Sequence, residues 1–247
     1  MPLIKKRLDI HLTESGLFPS RSLAQSAIME GRILVNGQKV QKAGHLVPAN
    51  SESQILGEDP PFVSRGGLKL EGALKHFQID VSGMRCLDVG ASTGGFTDCL
   101  LQHGAVKVVA LDVGKGQIHE KLRQDPRVEI RDEVNARLID ENFFDEPFDL
   151  ITIDVSFISQ KLIVPALIPH LKPGGIIIAL IKPQFEAGKD KIGKGGIVRD
   201  DETRRMVVDD IRLLYESSGF DVMGTIESSI TGTDGNIEYL IASTRKG

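Results

Sequence analysis

Cys86-Leu-Asp-Val-Gly-Ala-Ser-Thr-Gly-Gly-Phe-Thr97 is followed further along the chain by Val108-Val-Ala-Leu-Asp-Val-Gly114. The first stretch reads as a buried strand, a glycine-rich turn and the opening of a helix; the second reads as a buried strand ending on an acid. That order is how a doubly wound α/β fold presents a nucleoside. A dinucleotide fingerprint has a second glycine two positions after the first, where backbone approaches a pyrophosphate, and here that position is Ser92. A bound pyrophosphate is therefore not expected. What remains is Asp88 at the strand end, the turn Gly90, Ala91, Ser92, Thr93, Gly94, Gly95 and Phe96, and Asp112 with Val113 beside it. Asp112 is placed to accept hydrogen bonds from ribose hydroxyls. The combination suits S-adenosylmethionine, which carries ribose and adenine but no phosphate.

At 247 residues, 40% hydrophobic and 26% charged, the chain has room for one large domain or for a medium and a small one. No apolar run reaches the roughly 18 residues of a membrane span. The start Met1-Pro-Leu-Ile-Lys-Lys-Arg7 leads into an amphipathic segment instead of an apolar signal core, so a cytoplasmic protein is expected. Cys86 and Cys99 lack CxxC spacing or a partnering His pair; both read as core cysteines, and no metal site is expected. The net charge of −4 argues weakly against a nucleic-acid partner, but its distribution reverses that argument. Up to about Pro48, Lys5, Lys6, Arg7, Arg21, Arg32, Lys39 and Lys42 face only Asp9, Glu14 and Glu30.

In this basic region Leu8, Leu12 and Leu17 punctuate a short helix, and Ser20 reads as the N-cap of a second helix that stops at Gly31. Arg32-Ile-Leu-Val-Asn-Gly-Gln-Lys-Val40 then carries an Asn-Gly hairpin signal. Arg7-Leu-Asp-x-x-Leu12, Ser20-Arg-Ser-x-Ala24, Ile28 and Gly31-Arg-Ile-Leu-Val-Asn-Gly37 closely resemble the S4 RNA-binding domain. The resemblance implies that Arg21 and Arg32, with Lys6, Arg7 and Lys39, face structured RNA; the alternative for any one of them is a solvated surface charge. Residues 49–61 read as a last strand followed by a polar, Pro-containing linker. The expected division is an S4 domain over 1–59, a linker over 60–65 and an α/β domain over 66–247.

Beyond the linker, apolar strands alternate with amphipathic helices: Met84–Val89, Lys107–Asp112, Arg127–Ile130, Phe148–Val155, Gly175–Lys182, Phe220–Glu227 and Ile237–Ser243. Seven strands in such alternation predict a mainly parallel sheet, with the last two forming an antiparallel hairpin at one edge because no helix fits between them. Ligands of such sheets bind outside the carboxyl ends of the strands. Charges stranded there are Asp154 after Leu150-Ile-Thr-Ile153, Lys182 after six apolar residues, and Glu238 at the start of the last strand; Lys69 lies early in the helix before the first strand.

The order Lys69, Asp154, Lys182, Glu238 resembles the catalytic tetrad of FtsJ-like ribose 2′-O-methyltransferases. Phe62-Val-Ser-Arg-Gly-Gly-x-Lys-Leu70, Asp154-Val-Ser-Phe-Ile-Ser159, Lys182-Pro-Gln-Phe-Glu186 and Gly235-Asn-Ile-Glu-Tyr-Leu240 narrow the likeness to the TlyA family, over essentially the whole chain. That resemblance implies a Rossmann-like S-adenosylmethionine-dependent methyltransferase with a seven-stranded sheet and a small α+β S4 domain, acting on cytidine ribose in ribosomal RNA. It also implies a partner in ribosomal RNA or assembled ribosomal subunits, with no membrane or protein partner and a monomeric chain. Asp132 and Asn135 map to its adenine side, with a helix-capping pair as the alternative. Arg65 joins the RNA-facing residues. Within the tetrad, Lys182 is expected to take the proton of the ribose hydroxyl, Lys69 to lie beside it and tune it, and Asp154 and Glu238 to orient the pair.

Glu186 to Val198, rich in Gly and Lys, reads as a loop that meets RNA phosphates through residues such as Lys189. Three other functions compete. A base methyltransferase would carry an Asn-Pro-Pro-Tyr or cysteine signature where Asp154-Val-Ser-Phe157 stands. A non-catalytic RNA-binding factor would have no need of an intact tetrad. A haemolysin, a name attached to the family, would need a membrane-active surface.

Overall fold

A computed structural model describes residues 5–18, 20–29, 31–56, 61–188, 191–193, 195–232 and 235–247. The chain divides into two compact units, Met1–Pro60 and Pro61–Gly247.

In the smaller unit, strand β1 (Lys5–Arg7) leads into helices α1 (Leu8–Glu14) and α2 (Arg21–Met29). Strands β2 (Ile33–Val35), β3 (Gln38–Lys39), β4 (Leu46–Pro48) and β5 (Ser53–Ile55) follow. β3, β2 and β5 form one antiparallel sheet, and β1 pairs with β4 in another. Leu8 and Leu12 of α1 pack on Ala24, Ala27 and Ile28 of α2 and on Ile33, Val35 and Val47. Leu17 lies outside α1, because the helix ends before Gly16, whose φ of 75° continues no right-handed helix. Ser20 Oγ accepts from the Leu23 amide at 3.4 Å, the predicted cap. Asn36 and Gly37, at φ 50° and 77°, supply the two positive dihedrals that a type I′ hairpin turn requires.

In the larger unit, helix α3 (Gly66–Phe77) precedes β6 (Arg85–Val89), α4 (Gly95–Gln102), β7 (Lys107–Leu111), α5 (Glu120–Arg123) and β8 (Val128–Arg131). Then come β9 (Phe148–Ile153), α6 (Val164–Leu167), β10 (Leu171–Ile181), α7 (Pro183–Glu186), α8 (Asp201–Ser217), β11 (Phe220–Glu227) and β12 (Tyr239–Arg245). The predicted seven-stranded sheet has the order β11-β12-β10-β9-β6-β7-β8, parallel throughout the β10-to-β8 run. β12 runs antiparallel between β10 and β11, so the edge hairpin folds its second strand inward. The central strands are apolar on both faces because helices cover both. α3 and α4 pack on one side through Leu70, Leu74 and Leu100, and α8 packs on the other through Val207, Ile211 and Tyr215.

β10 begins at Leu171, earlier than the apolar run suggests, with its pairing to β9 interrupted between Leu171 and Ile176 around Pro173-Gly-Gly175. Of residues 60–65, Pro60 lies outside the described residues, whereas Phe62 is buried and the Val63 amide donates to Asp98 Oδ2 at 2.9 Å. The strand order reverses between β6 and β9, which makes the crevice at their carboxyl ends the place for a ligand.

Candidate active site

The turn after β6 is built by backbone that few side chains permit. Gly90 has φ 82°, and a Cβ there would lie 2.4 Å from the Asp154 carbonyl oxygen, so a glycine is what lets the ends of β6 and β9 meet. Ser92 takes the left-handed region without being glycine, at φ 49°. Its amide thereby donates to Asp112 Oδ2 at 2.8 Å, while Asp112 Oδ1 accepts from the Gly114 amide at 2.7 Å. A carboxylate has about four acceptor sites, so Asp112 retains capacity for ribose hydroxyls.

Around this carboxylate lies a cavity of about 440 Å³, within the range of small-molecule sites. Gly90, Ser92, Asp112, Val113 and Asn135 line it, and Asp154 and Phe157 close its far side. Val113 is 69% exposed, an apolar side chain next to Asp112 that an adenine ring could cover. Shape, acid and apolar face fit S-adenosylmethionine.

Of the remaining cofactor candidates, several side chains face protein and others are exposed. Asp88 has no exposed surface, and its oxygens accept from Thr97 Oγ1 at 2.7 Å and Thr152 Oγ1 at 3.0 Å. It braces the turn from behind. Burial raises its carboxyl to about 6 against the two hydroxyl bonds. Ala91 and Phe96 are core side chains. Gly94 lies under Leu122, and Gly95 lets α4 approach Ser64 and the first turn of α3, where a Cβ would sit 2.3 Å from Ser64 Oγ. Thr93 is exposed and does not line the cavity; its carbonyl accepts from the His119 amide. Asp132 also lies off the cavity, its carboxylate accepting from the Gly116 amide at 2.7 Å. Asn135 caps the Ala136–Leu138 turn through the Arg137 amide while still lining the cavity.

The four charged residues form two ion pairs, one of which includes the cavity-lining Asp154. Lys69, on the buried face of α3, places Nζ 2.6 Å from Glu238 Oε2, both side chains nearly removed from solvent. Gly232 makes room for that carboxylate, since a Cβ there would lie 2.4 Å from Glu238 Oε1. Lys182, at the end of β10, places Nζ 2.6 Å from Asp154 Oδ1 and donates to Ser156 Oγ at 2.9 Å. Each of the two expected orienting carboxylates thus meets one lysine, Glu238 on Lys69 and Asp154 on Lys182. The cause is topological: β12 carries Glu238 to the α3 side of the sheet and β9 carries Asp154 to the neighbouring strand end.

Three contributors to the site escape a reading by charge. Ser156 touches Lys182, Phe157 is 90% exposed at φ 65°, and Phe185 meets Phe157 with ring centroids 4.8 Å apart. The signal available in sequence is an aromatic three positions after a strand-end acid, which alone does not distinguish exposure from burial.

In the smaller unit the RNA-facing candidates are held by partners. Arg7 donates from Nε and Nη2 to the Asp9 carboxylate at 3.0 and 2.9 Å, and Arg21 Nη2 donates to Asp9 Oδ2 at 3.0 Å. Asp9 is fully buried, and the Arg7 hydrogen bonds, with those from Gln25 and Arg21, hold its carboxyl well below the usual range against the cost of burial. Lys6 pairs with Glu14 at 2.5 Å. Arg32 Nε donates to the Leu56 carbonyl at 3.3 Å. Lys39 is exposed, its stem crossing Gly31. Arg65, in the larger unit, is exposed at the start of the helix that bears Lys69. Lys189 lies outside the described residues.

A doubly wound sheet with its last strand inserted antiparallel, and a nucleoside cavity at the switch point, defines an S-adenosylmethionine-dependent methyltransferase. Residues 62–245 match the FtsJ-like methyltransferase family and residues 6–53 match the S4 domain. The chain belongs to the FtsJ-like methyltransferases, in the TlyA group that joins this fold to an S4 domain. It is 44% identical over 235 residues to Hemolysin A of Brachyspira hyodysenteriae, covering 95% of this chain and 98% of that protein. It is 39% identical over 238 residues to the 16S/23S rRNA (cytidine-2'-O)-methyltransferase TlyA of Mycobacterium tuberculosis (strain ATCC 25618 / H37Rv), covering 96% and 89%. A solved structure from Streptococcus thermophilus, named as a candidate hemolysin, matches with a TM-score of 0.78 at 42% identity, covering 99% of this chain and 90% of that one.

Proposed function

We propose that this enzyme transfers a methyl group from S-adenosylmethionine to the 2′-hydroxyl of a cytidine in ribosomal RNA. The observation that carries the reading is the Lys182–Asp154 pair at the strand ends, beside a cavity that fits the methyl donor. S-adenosylmethionine supplies an electrophilic methyl on a sulfonium. Ser156 and Asp154 engage Lys182 Nζ from two directions; as the neutral amine it keeps two N–H donors for them and a lone pair for the proton of the ribose hydroxyl. As the oxygen–methyl bond forms, the hydroxyl proton passes to the amine form of Lys182. Lys69, neutralised by Glu238, fixes α3 against the start of β12 and so shapes the acceptor wall. Phe157 presents an aromatic face on which the target base stacks.

The S4 domain, residues 1–59, grips RNA through Arg7, Arg21 and Arg32 with Lys6 and Lys39; Arg65 of the linker and Lys189 of the methyltransferase domain are RNA contacts of their own. The enzyme works as a monomer in the cytoplasm on ribosomal RNA or assembled subunits. Incubating it with labelled donor and each purified ribosomal subunit, then mapping 2′-O-methylation, is the direct test; label in neither subunit overturns the substrate assignment. RNA affinity should fall with salt at nearly one log unit per log unit for each phosphate contact. The hemolysin name of several relatives is tested beside it by liposome leakage. Among the described residues no helix is long and apolar enough to cross a membrane. Leakage without methylation would reverse the reading.

A further inference from the structure

Two segments carry the acceptor side of the site: residues 154–160 after β9, with Asp154, Ser156 and Phe157, and residues 182–186 after β10, with Lys182 and Phe185. Inside the crevice they meet through the Lys182 contacts and the Phe157–Phe185 pair, which are the very groups that substrate must engage. Behind the crevice a third connection exists. Ser159 Oγ donates to Glu186 Oε2 at 2.5 Å and the Gln160 amide donates to Glu186 Oε1 at 2.9 Å. Gln160 is itself fixed: its side chain donates to the Leu180 carbonyl of β10 at 3.1 Å and accepts from the Tyr215 hydroxyl of α8 at 3.0 Å, all three residues being buried.

We propose that Glu186 is a positioning residue for methyl transfer, a carboxylate clasp that sets the segment bearing Asp154 and Phe157 against the segment bearing Lys182 and Phe185. Glu186 is half-buried, and a carboxylate withdrawn from water is a costly way to fill space; an apolar side chain would serve better if packing were all that was required. Burial indeed pushes the Glu186 carboxyl up, against the Ser159 and Gln160 hydrogen bonds. What the carboxylate adds is two acceptors at fixed spacing, one for a hydroxyl and one for a main-chain amide. These join two strand ends whose relative position sets the Lys182–Asp154 geometry. Ser159, Gln160 and Glu186 are not among the residues that line the cavity, so the clasp can persist when substrate displaces the Lys182 and Phe157 contacts.

The inference rests on the methyltransferase reading above, and two readouts separate its failure from that reading's failure. In the first, Glu186→Gln and Glu186→Ala are compared with the parent enzyme for kcat on ribosomal subunits and for S-adenosylmethionine affinity by calorimetry. Because displacement of reacting groups by about an ångström costs up to ~100-fold, kcat should drop roughly 10- to 100-fold in Glu186→Ala and less in Glu186→Gln, which keeps one acceptor. Cofactor affinity should change less than about threefold, since the Asp112 side is untouched. Ser159→Ala added to Glu186→Ala should lower kcat no further, because the contact the two residues share is already gone and what remains to lose is the cap that Ser159 Oγ gives the Lys161 amide. A merely structural role would lower the melting temperature and leave kcat alone, which overturns the proposal, as does cofactor affinity falling in step with kcat. In the second, amide hydrogen exchange needs no turnover. Glu186→Ala should speed exchange in both 155–160 and 182–187 and leave the 90–95 turn unchanged. Unchanged exchange in the first two segments overturns the clasp whether or not RNA is methylated, whereas a parent enzyme that labels no RNA overturns only the reading beneath it.

Discussion

On the cofactor side of the crevice, the turn after β6 is held by main-chain amides converging on Asp112, with Asp88 bracing it from the core. On the acceptor side, charged side chains on α3, directly after β9 and β10 and directly before β12 are held by opposite charges. The difference follows from what each side must do. A bound nucleoside needs a fixed shape, which backbone supplies with little loss of side-chain entropy. A reacting hydroxyl needs a group that moves a proton, and such groups are titratable side chains that neighbouring charges keep in place. If the division is right, damage on one side should leave the other side's property standing.

The largest effect should come from Lys182→Ala. Loss of a general base costs about 10²- to 10⁴-fold, and single-turnover transfer should fall by that much while S-adenosylmethionine affinity stays within about threefold of the parent. Strong residual transfer would break the assignment of Lys182. Glu238→Ala comes next, because it strands the Lys69 ammonium in a buried site. Removing one partner of a buried pair costs about 3 kcal/mol, which denaturant unfolding should read, and an apolar double replacement, Lys69→Met with Glu238→Leu, should recover much of that stability without recovering activity. Asp112→Asn should be smaller and opposite in kind. Hydrogen bonds to a charged acceptor contribute about 1.5–3 kcal/mol, so cofactor affinity should weaken roughly 10- to 100-fold while transfer at saturating cofactor survives. Equal losses of affinity and saturated rate in this variant would erase the distinction between the sides.

The same division explains what sequence can reveal. The cofactor side is local: Asp88 to Thr97 and Val108 to Gly114 are each one strand and one turn, so their spacing already excludes a pyrophosphate and points to Asp112. The acceptor side joins Lys69 to Glu238 across 169 positions, and a sequence names such residues without saying which carboxylate meets which lysine. Side-chain direction is the other loss. Asp88 and Phe96 fall in the motif and face the core, whereas Phe157 falls beside one and faces solvent. Alternation along a strand tells inside from outside only while the strand continues, and these three residues sit in or next to turns. In the small unit, β1 and β4 escape a sequence reading because three-residue strands are too short for a period-two pattern to show.

Asp88 joins the two sides, and its titration gives the smallest prediction. Burial holds its carboxyl at about 6, above the ordinary 3.8, with the charge of Asp154 adding to the rise. A carboxyl raised in the folded state keeps its proton there after the unfolded chain has lost it, so stability declines as pH climbs from about 4 through 6. Below that window the group is neutral in both states and contributes no penalty; above it the penalty is complete. The amide of an Asp88→Asn variant does not titrate. Stability of the variant relative to the parent should therefore rise between pH 4 and pH 7.5 by on the order of 2 kcal/mol, measured by urea unfolding at a series of pH values. The amide oxygen that Asp88→Asn introduces still accepts from a threonine hydroxyl, Thr97 or Thr152, which limits the baseline cost of the substitution. A gap that does not change with pH would show that Asp88 is ionised as easily inside as outside. In a Lys182→Ala background, where Asp154 loses its counter-charge, the gap should widen further, because Asp88 then faces an uncompensated carboxylate.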